Sequence, residues 1–164
     1  MRVKRIAGAA LAGAALLVPL AGVSSANAAT VPVVYIHVIQ YSPPGSDIPV
    51  TTAKLNGEWV MLTNTTAKPV ALTHWTLRDK ANHLYTFPGF VLQAHKSVEI
   101  HTGTGKNSAT NLYWGHKPPA STSYVWNNSG KETATLRNAA GKTIDTRSYT
   151  GKSVSGAAQA VFKP

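Results

Sequence analysis

Residues 58–64 (EWVMLTN) and 70–79 (VALTHWTLRD) are the part of the sequence that decides the fold. In the first stretch, Val60 and Leu62 alternate with bulkier or polar neighbours, which is the period of a β-strand with two unlike faces. A turn-like segment, residues 65–69 (TTAKP), separates the two stretches before the apolar pattern resumes. Short apolar runs divided by turn residues are typical of antiparallel sheets, so each stretch is predicted to contain a strand.

Similar runs recur on both sides of this region. Residues 33–40 (VVYIHVIQ) predict a first strand, in which regular alternation places Ile39 on the face opposite Ile36. Further along the chain, residues 91–92 and 97–101 predict two strands that pair with each other across a turn.

Residues 138–142 (NAAGK) have the composition of a tight hairpin, with Gly141 where a positive φ is needed. Altogether about eight or nine short, mainly antiparallel strands are predicted, without a strong amphipathic helix. This pattern indicates an all-β fold, either a β-sandwich or a barrel. The residues predicted to lie in its core are Val60, Leu62, Leu77, Val98 and Leu136.

The start of the chain predicts export. Residues 1–28 combine a basic start, an apolar middle and a small-x-small ending (ANA), which is typical of a secretory signal peptide. Cleavage leaves Ala29 first, and an uncleaved anchor is disfavoured because Pro19 interrupts the apolar segment. A linker (29–32) and the sandwich domain (33–150) follow. The protein is therefore predicted to be secreted, with no transmembrane segment after cleavage.

Two other segments are predicted to lack regular structure. Residues 42–54 read as a loop containing proline and threonine, and residues 151–164 as a flexible tail rich in Ser, Gly and Ala. Within the tail, a short helix over residues 157–161 is the alternative, although so short a helix is marginal alone.

The charge balance favours anionic partners. The whole chain has 16 basic and 6 acidic residues and a formal net charge of +10. Removal of residues 1–28, which contain three of the basic residues, leaves +7. Such a surface attracts polyanions, including nucleic acid, wall polymer, anionic lipid and acidic polysaccharide; the alternative is that the charge serves solubility alone. The absence of cysteine excludes disulfides and thiolate chemistry.

Residues 102–107 (TGTGKN) superficially suggest a phosphate loop. That motif needs an earlier glycine and a Ser or Thr after the lysine, whereas this chain has Ile100 and Asn107 at those positions. A glycine-rich turn with an exposed Lys106 is the favoured interpretation. The six histidines contain no helical i, i+4 pair, and neither a metal site nor another cofactor is predicted.

The long segment 102–123 is the predicted binding site. It contains no carboxylate, and Trp114 is its best candidate for an exposed aromatic side chain. A basic loop with an aromatic ring suits a polyanion that carries flat rings; an extracellular protein is the other predicted kind of partner. The alternative is a solvated loop whose Leu112 and Tyr113 pack against the end of the sandwich. The candidate binding residues are Lys106, Trp114, His116 and Lys117.

Catalysis is not predicted. The chain has no Gly-x-Ser-x-Gly elbow, and its six carboxylates are expected to serve backbone hydrogen bonds and local ion pairs. The alternative function is a small secreted hydrolase, nuclease-like or glycan-active, that uses Glu99, His101 or Asp145. Glu99 and His101 are predicted to share one strand face.

The order and spacing of several motifs over residues 33–150 resemble the lamin tail domain family. These motifs are Glu58-x-Val60-x-Leu62-x-Asn64, Pro69-Val70-x-Leu72-x-x-Trp75-x-Leu77-x-Asp79, Tyr85-x-Phe87-Pro88, Gly103-x-Gly105, Leu112-Tyr113-Trp114, Trp126-Asn127-Asn128-x-Gly130 and Leu136-x-Asn138-x-x-Gly141-x-x-x-Asp145.

The resemblance implies an immunoglobulin-like β-sandwich and a non-catalytic interaction module, which in nuclear lamins is linked to DNA, chromatin and protein binding. Bacterial relatives occur in exported and surface proteins. The chain lacks the heptad rod of lamins, and its predicted export excludes nuclear partners. Lys131 stands where the family often has an acidic residue, so a shared acidic site is not implied.

Overall fold

The computed structural model describes residues 30–120, 123–152 and 156–164. The predicted export signal, residues 1–28, and its cleavage site lie outside the described residues. Eleven strands and one short helix are found in the described part of the chain: β1 (Val34–Ser42), α1 (Thr52–Gly57), β2 (Trp59–Asn64), β3 (Val70–Ala71), β4 (Thr76–Arg78), β5 (Leu84–Thr86), β6 (Val91–Leu92), β7 (Ser97–His101), β8 (Asn111–Tyr113), β9 (Gly130–Arg137), β10 (Thr143–Gly151) and β11 (Ala158–Val161).

The strands form two main sheets and a short ribbon. The first sheet has the order β11-β1-β2-β7-β8, and the second has the order β10-β9-β4-β5. Strands β3 and β6 pair separately. All pairings are antiparallel except that of β7 with β8. The predicted all-β sandwich is therefore confirmed, although the described residues contain more strands than the eight or nine expected.

The core lies between the two sheets and contains the five residues predicted to form it. Val60, Leu62, Leu77 and Leu136 are fully buried, and Val98 is 1% exposed. They belong to one continuous apolar cluster that includes residues of both sheets. Alternation along β2, β4, β7 and β9 thus predicts which face of each strand points inward.

In β1 the regular alternation fails because of a bulge. The pairing with β2 shifts register between Ile36 and Val38, leaving His37 as the extra residue. An extra residue changes which face the following side chains occupy, so Ile39 joins Ile36 in the core, and Tyr41 follows. The prediction that Ile39 faces away from Ile36 is therefore wrong.

Both main hairpin turns are held by an acidic or amide side chain. In the β4–β5 turn, an Asp79 carboxylate oxygen accepts a hydrogen bond from the backbone N–H of His83 at 2.7 Å. In the predicted β9–β10 hairpin, the Asn138 side-chain oxygen accepts from the N–H of Lys142 at 2.9 Å. Gly141 has a φ of 76°, as its place in the turn requires.

Several connections differ from those that the sequence predicts. Strands β6 and β7 do not pair with each other, because β6 pairs with β3 and β7 with β2. The segment predicted as a loop over residues 42–54 ends in α1, whose N-terminus is capped by the Thr51 hydroxyl. None of the helical segments in the described part of the chain has the length and apolar character needed to span a bilayer.

The end of the chain also differs from its prediction. Residues Ala158–Val161 form β11, an edge strand paired with β1, instead of a flexible tail or a helix. The backbone N–H of Phe162 donates to the carbonyl of the bulged His37 at 2.8 Å. The Phe162 ring also lies 5.7 Å from the Arg147 guanidinium carbon. Strand β11 thus covers the outer edge of β1.

Candidate functional site

The segment that carries the predicted binding residues begins with two tightly packed glycines. A Cβ on Gly103 would overlap the Asn56 side-chain oxygen, and a Cβ on Gly105 would overlap the ring of Tyr113. Because only glycine fits such close approaches, packing against the protein explains both residues. The interpretation of this stretch as a glycine-rich turn agrees with these contacts, and Lys106 is exposed within it.

The residues on either side of Lys106 contact Tyr113 at the end of β8. The side-chain oxygen of one of them, Asn107, accepts a hydrogen bond from the Tyr113 N–H at 3.1 Å. The Tyr113 ring stacks on the His101 ring, with centroids 5.1 Å apart. Leu112 is buried in the core, so β8 joins the first sheet through the middle of the segment predicted as a loop.

Trp114 is half-buried and is not the exposed aromatic side chain that the sequence predicts. Its ring centroid lies 5.5 Å from that of Tyr85 and 6.1 Å from that of Trp126. The His116 ring lies 6.0 Å from Trp114 and 5.9 Å from His83. Packing within this aromatic cluster occupies much of the Trp114 ring, so it offers less surface for stacking than an exposed side chain.

The electrostatic setting of His116 does not favour a positive charge. Burial, with a contribution from His83, lowers the pKa of His116 below its usual 6.5. His116 is therefore mainly neutral at pH 7. Charge for an anionic ligand would have to come from Lys106 and Lys117, both exposed. The four residues are thus distributed between the aromatic cluster and the solvent-facing turns, and their joint action as a site stays a prediction.

A cavity of about 520 Å³ lies next to the aromatic cluster. The Asp47 carboxylate in its wall accepts a hydrogen bond from the Asn128 side-chain amide at 2.7 Å. The backbone carbonyl of Asp47 accepts from the Tyr124 hydroxyl at 3.2 Å. The residues that line the cavity are Asp47, Ile48, His83, Tyr124, Val125, Trp126, Asn127 and Asn128.

Glu58 lies behind this cavity and is fully buried. One of its carboxyl oxygens accepts hydrogen bonds from the Thr102 hydroxyl at 2.6 Å and from the Val125 N–H at 2.8 Å. The other oxygen has no hydrogen-bond partner in the described structure. Burial raises the pKa of Glu58 to about 8, against the opposing effect of the Thr102 and Val125 hydrogen bonds. Glu58 is therefore mainly protonated at pH 7 and ties two loops to the start of β2.

Glu132 and Asp79 are also turned inward. Glu132 is fully buried and accepts hydrogen bonds from the Lys80 N–H at 2.9 Å, the Thr133 N–H at 2.8 Å and the Asn127 side-chain amide. Asp79 is 4% exposed and binds both the backbone and the ring nitrogen of His83. These carboxylates hold turns and leave little surface for a ligand.

The alternative catalytic residues occupy two separate arrangements. The Glu99 carboxylate lies 3.5 Å from the His101 ring, as a shared strand face predicts. Both ring nitrogens of His101 already contact protein oxygens, at 2.7 Å to the Asn56 carbonyl and 2.8 Å to the Asn111 side chain. In this arrangement the His101 ring has no nitrogen free for a substrate.

Asp145 has its own partners. Its carboxylate accepts hydrogen bonds from the Ile36 N–H at 2.8 Å and the Arg147 guanidinium at 2.9 Å. Strand β10 carries it in the second sheet, whereas Glu99 and His101 lie on β7 in the first. Across the described ranges, no group of three or more His, Asp or Glu side chains is arranged to hold a metal ion.

Acidic and basic side chains are segregated between the interior and the surface. All six carboxylates of the chain lie in the described residues, and each is either buried or half-buried. Of the 13 basic residues between 30 and 164, none is fully buried and three are half-buried. The exposed ones are Lys68, Lys80, Lys96, Lys106, Lys117, Lys131, Arg137, Lys142, Lys152 and Lys163.

The sandwich and its inward carboxylates define a small β module in which acidic side chains hold loops together. The family model of the lamin tail domain matches residues 27–151. The chain belongs to the lamin tail domain family, and its two-sheet fold is an immunoglobulin-like β-sandwich. Comparison with curated proteins finds no match to this chain.

Sequence reasoning missed the cavity and the charge segregation. Asp47 and Asn128 are 81 positions apart, and nothing in either local sequence indicates that they are partners. The motif Trp126-Asn127-Asn128 was a usable signal, because all three residues line the cavity. For the carboxylates, the usable signal was their position at strand ends and turns, where side chains often bond backbone N–H groups.

Proposed function

We propose that this protein is a secreted, non-catalytic binding module of the lamin tail type that engages anionic polymers. The observation that carries the proposal is that, in the part of the chain that the structure describes, ten basic side chains are exposed while no carboxylate is. A surface with one sign of charge attracts polyanions over a distance comparable to the Debye length, about 8 Å at physiological salt.

The carboxylates are placed away from the groups that a ligand would contact at the surface. Asp145 is paired with Arg147, and Glu58 is mainly neutral below its pKa of about 8. The remaining carboxylates bond turn backbones or neighbouring side chains. The charged groups that an anion would meet at the surface are therefore mainly basic.

A hydrolase receives less support from the geometry. Asp145 lies apart from the pair of Glu99 and His101, and both ring nitrogens of His101 are in use. General acid–base catalysis needs a group that can reach the proton of a bound substrate. The family, an immunoglobulin-like domain, favours a binding or structural role.

The proposed secretion rests on residues 1–28. We expect protein recovered from culture medium to begin at Ala29, which intact-mass measurement tests directly. A mass that retains residues 1–28 would contradict secretion by cleavage and would place the binding surface at a membrane.

Binding is tested by incubating the protein with an anionic wall-type polymer and with an uncharged glycan of similar length. We expect the protein to cosediment with the charged polymer and to remain in the supernatant with the uncharged one. Chromatography should show that the charged polymer stays intact. Equal binding to both polymers would contradict the charge-based function. Release of polymer fragments would instead support the hydrolase, especially if Glu99→Gln abolished it.

A further inference from the structure

The outer face of the β10-β9-β4-β5 sheet is a surface that neither the predicted loop site nor the cavity includes. Along β9, the buried side chains Glu132, Ala134 and Leu136 point toward the core. Successive side chains of a strand point to opposite faces, so Thr133 and Thr135 point outward. The same alternation holds in β4, where Leu77 is buried and its two neighbours are not.

Hydroxyl groups occupy the part of this face that β9 and the edge strand β10 form. Thr135 of β9 is paired with Thr146 of β10, and Thr133 is paired with Ser148. The hydroxyl oxygens of Thr133 and Ser148 lie 2.8 Å apart. Paired strands lie about 4.8 Å apart and outward residues of one strand about 6.7 Å apart. The four side chains thus form a regular patch of groups that both donate and accept hydrogen bonds.

Basic side chains stand at both ends of the hydroxyl patch. At one end, Arg137 of β9 lies opposite Thr76, and Arg78 lies opposite Thr135, so the two arginines are diagonal neighbours. At the other end, Lys131 is exposed, and the Lys80 ammonium nitrogen lies 3.5 Å from its carbonyl oxygen. The two ends are six residues apart on β9, or roughly 20 Å.

The chemistry of this face selects among anionic polymers. Glu132 and Asp79 are buried beneath this face and Asp145 of β10 is paired with Arg147, so no carboxylate is exposed among the groups that would contact a ligand. The aromatic side chains of the same strands, Tyr85 and Tyr149, are also buried on the inner side. Among the described residues this face therefore has no ring on which a nucleic-acid base could stack, and stacking contributes much of the affinity for single strands.

We propose that the outer face of this sheet binds a linear polyol phosphate, a polymer in which phosphodiesters alternate with hydroxyl-rich units. The arginine pair and the lysine pair would bind phosphate groups about 20 Å apart. The Thr and Ser side chains between them would exchange hydrogen bonds with the polyol hydroxyls. This inference rests on the proposed function and adds to it a location and a class of polymer.

The test uses purified poly(glycerol phosphate) and measures its affinity by titration at several salt concentrations. The face variants are Arg78→Gln/Arg137→Gln and Thr133→Val/Thr135→Val. The matched control is Lys68→Gln/Lys96→Gln, which removes the same charge from two exposed lysines outside this sheet. Unfolding curves of every variant establish that the fold is intact before binding is compared.

We expect the arginine variant to bind at least about tenfold more weakly at low salt. The slope of the logarithm of its association constant against the logarithm of salt concentration should be less steep by about 1.4–1.8, because each of the two lost contacts removes about 0.7–0.9. The valine variant should weaken binding without changing that slope. The lysine control should keep most of the affinity.

Four outcomes would overturn the inference. Equal losses in the arginine variant and the lysine control would mean that the charge acts diffusely, and the proposed function would stand without this site. An unchanged valine variant, or tighter binding of single-stranded DNA than of the polyol phosphate, would contradict the polymer class. If the unaltered protein bound no polyanion at low salt, the proposed function itself would fail.

Discussion

Glu58 is the residue whose burial should be most visible in solution. Its pKa of about 8 in the folded protein lies above the ordinary value of 4.5. Between these values the unfolded chain has lost the proton while the folded chain keeps it, so stability falls as pH rises. One group in this state changes the free energy of unfolding by about 1.4 kcal/mol per pH unit.

We expect Glu58→Gln to remove this fall in stability with rising pH. The amide keeps an oxygen that accepts from Thr102 and Val125, and it never ionises. In urea unfolding at pH 5, 6, 7 and 8, the free energy of unfolding of the variant should rise relative to that of the unaltered protein at each step. The comparison must be between the two proteins, since the lowered pKa of His116 acts in the opposite direction and destabilises the fold as pH falls below about 6.5. A constant difference across this range would contradict the assignment.

Leu62 tests the predicted inner face of β2. It is a fully buried member of the apolar cluster, so Leu62→Ala should lower the free energy of unfolding by about 2–5 kcal/mol. Leu84, 54% exposed on β5, is the matched control, and its change to alanine should cost less than about 0.5 kcal/mol. Similar costs for the two variants in urea unfolding would show that burial does not distinguish these positions.

At the scale of single residues, the sequence predicts which side chains are buried better than it predicts their hydrogen-bond partners. Alternation is a local pattern, and it was sufficient for Leu62 and the other four core residues. The partners of Glu58 could not be predicted, because Thr102 and Val125 are 44 and 67 positions away. Their contact exists only when the loop after β7 and the residues before β9 meet at the start of β2.

At the scale of elements, β11 is the clearest departure from the predicted structure. It covers the outer edge of β1, whose backbone groups would otherwise be unpaired. We expect removal of residues 157–164 to destabilise the protein by about 1–3 kcal/mol, chiefly through loss of the half-buried Phe162. It should also increase self-association, measured by light scattering. Removal of Lys163 and Pro164 alone is the control.

If the longer truncation left both stability and association unchanged, these residues would contribute nothing to the fold, as the sequence-based prediction of a flexible tail implies. The sequence indicated a tail because Ser, Gly and Ala are weak strand formers. Pairing with β1 overrides that preference. The bulge at His37 has a similar explanation, since a change of face depends on the register with β2 and not on the residues of β1 alone.

At the scale of the whole molecule, composition predicts the net charge but not its distribution. Counting residues gives an excess of basic side chains. Only the fold turns Glu58, Asp79 and Glu132 inward while the lysines stay outside. The predicted binding loop illustrates the same limit: its lysines are exposed as expected, but the sequence could not indicate that Trp114 packs against Tyr85 and Trp126.

The salt dependence of polyanion binding tests the account most directly. Affinity for poly(glycerol phosphate) should be measured from about 50 to 200 mM salt and plotted as the logarithm of the association constant against the logarithm of salt concentration. A surface on which the exposed charged groups are basic should release several counterions, and we expect a slope of about −2 or steeper, equivalent to at least two to three contacts. A slope near zero would contradict the claim that this exposed positive surface binds anionic polymers.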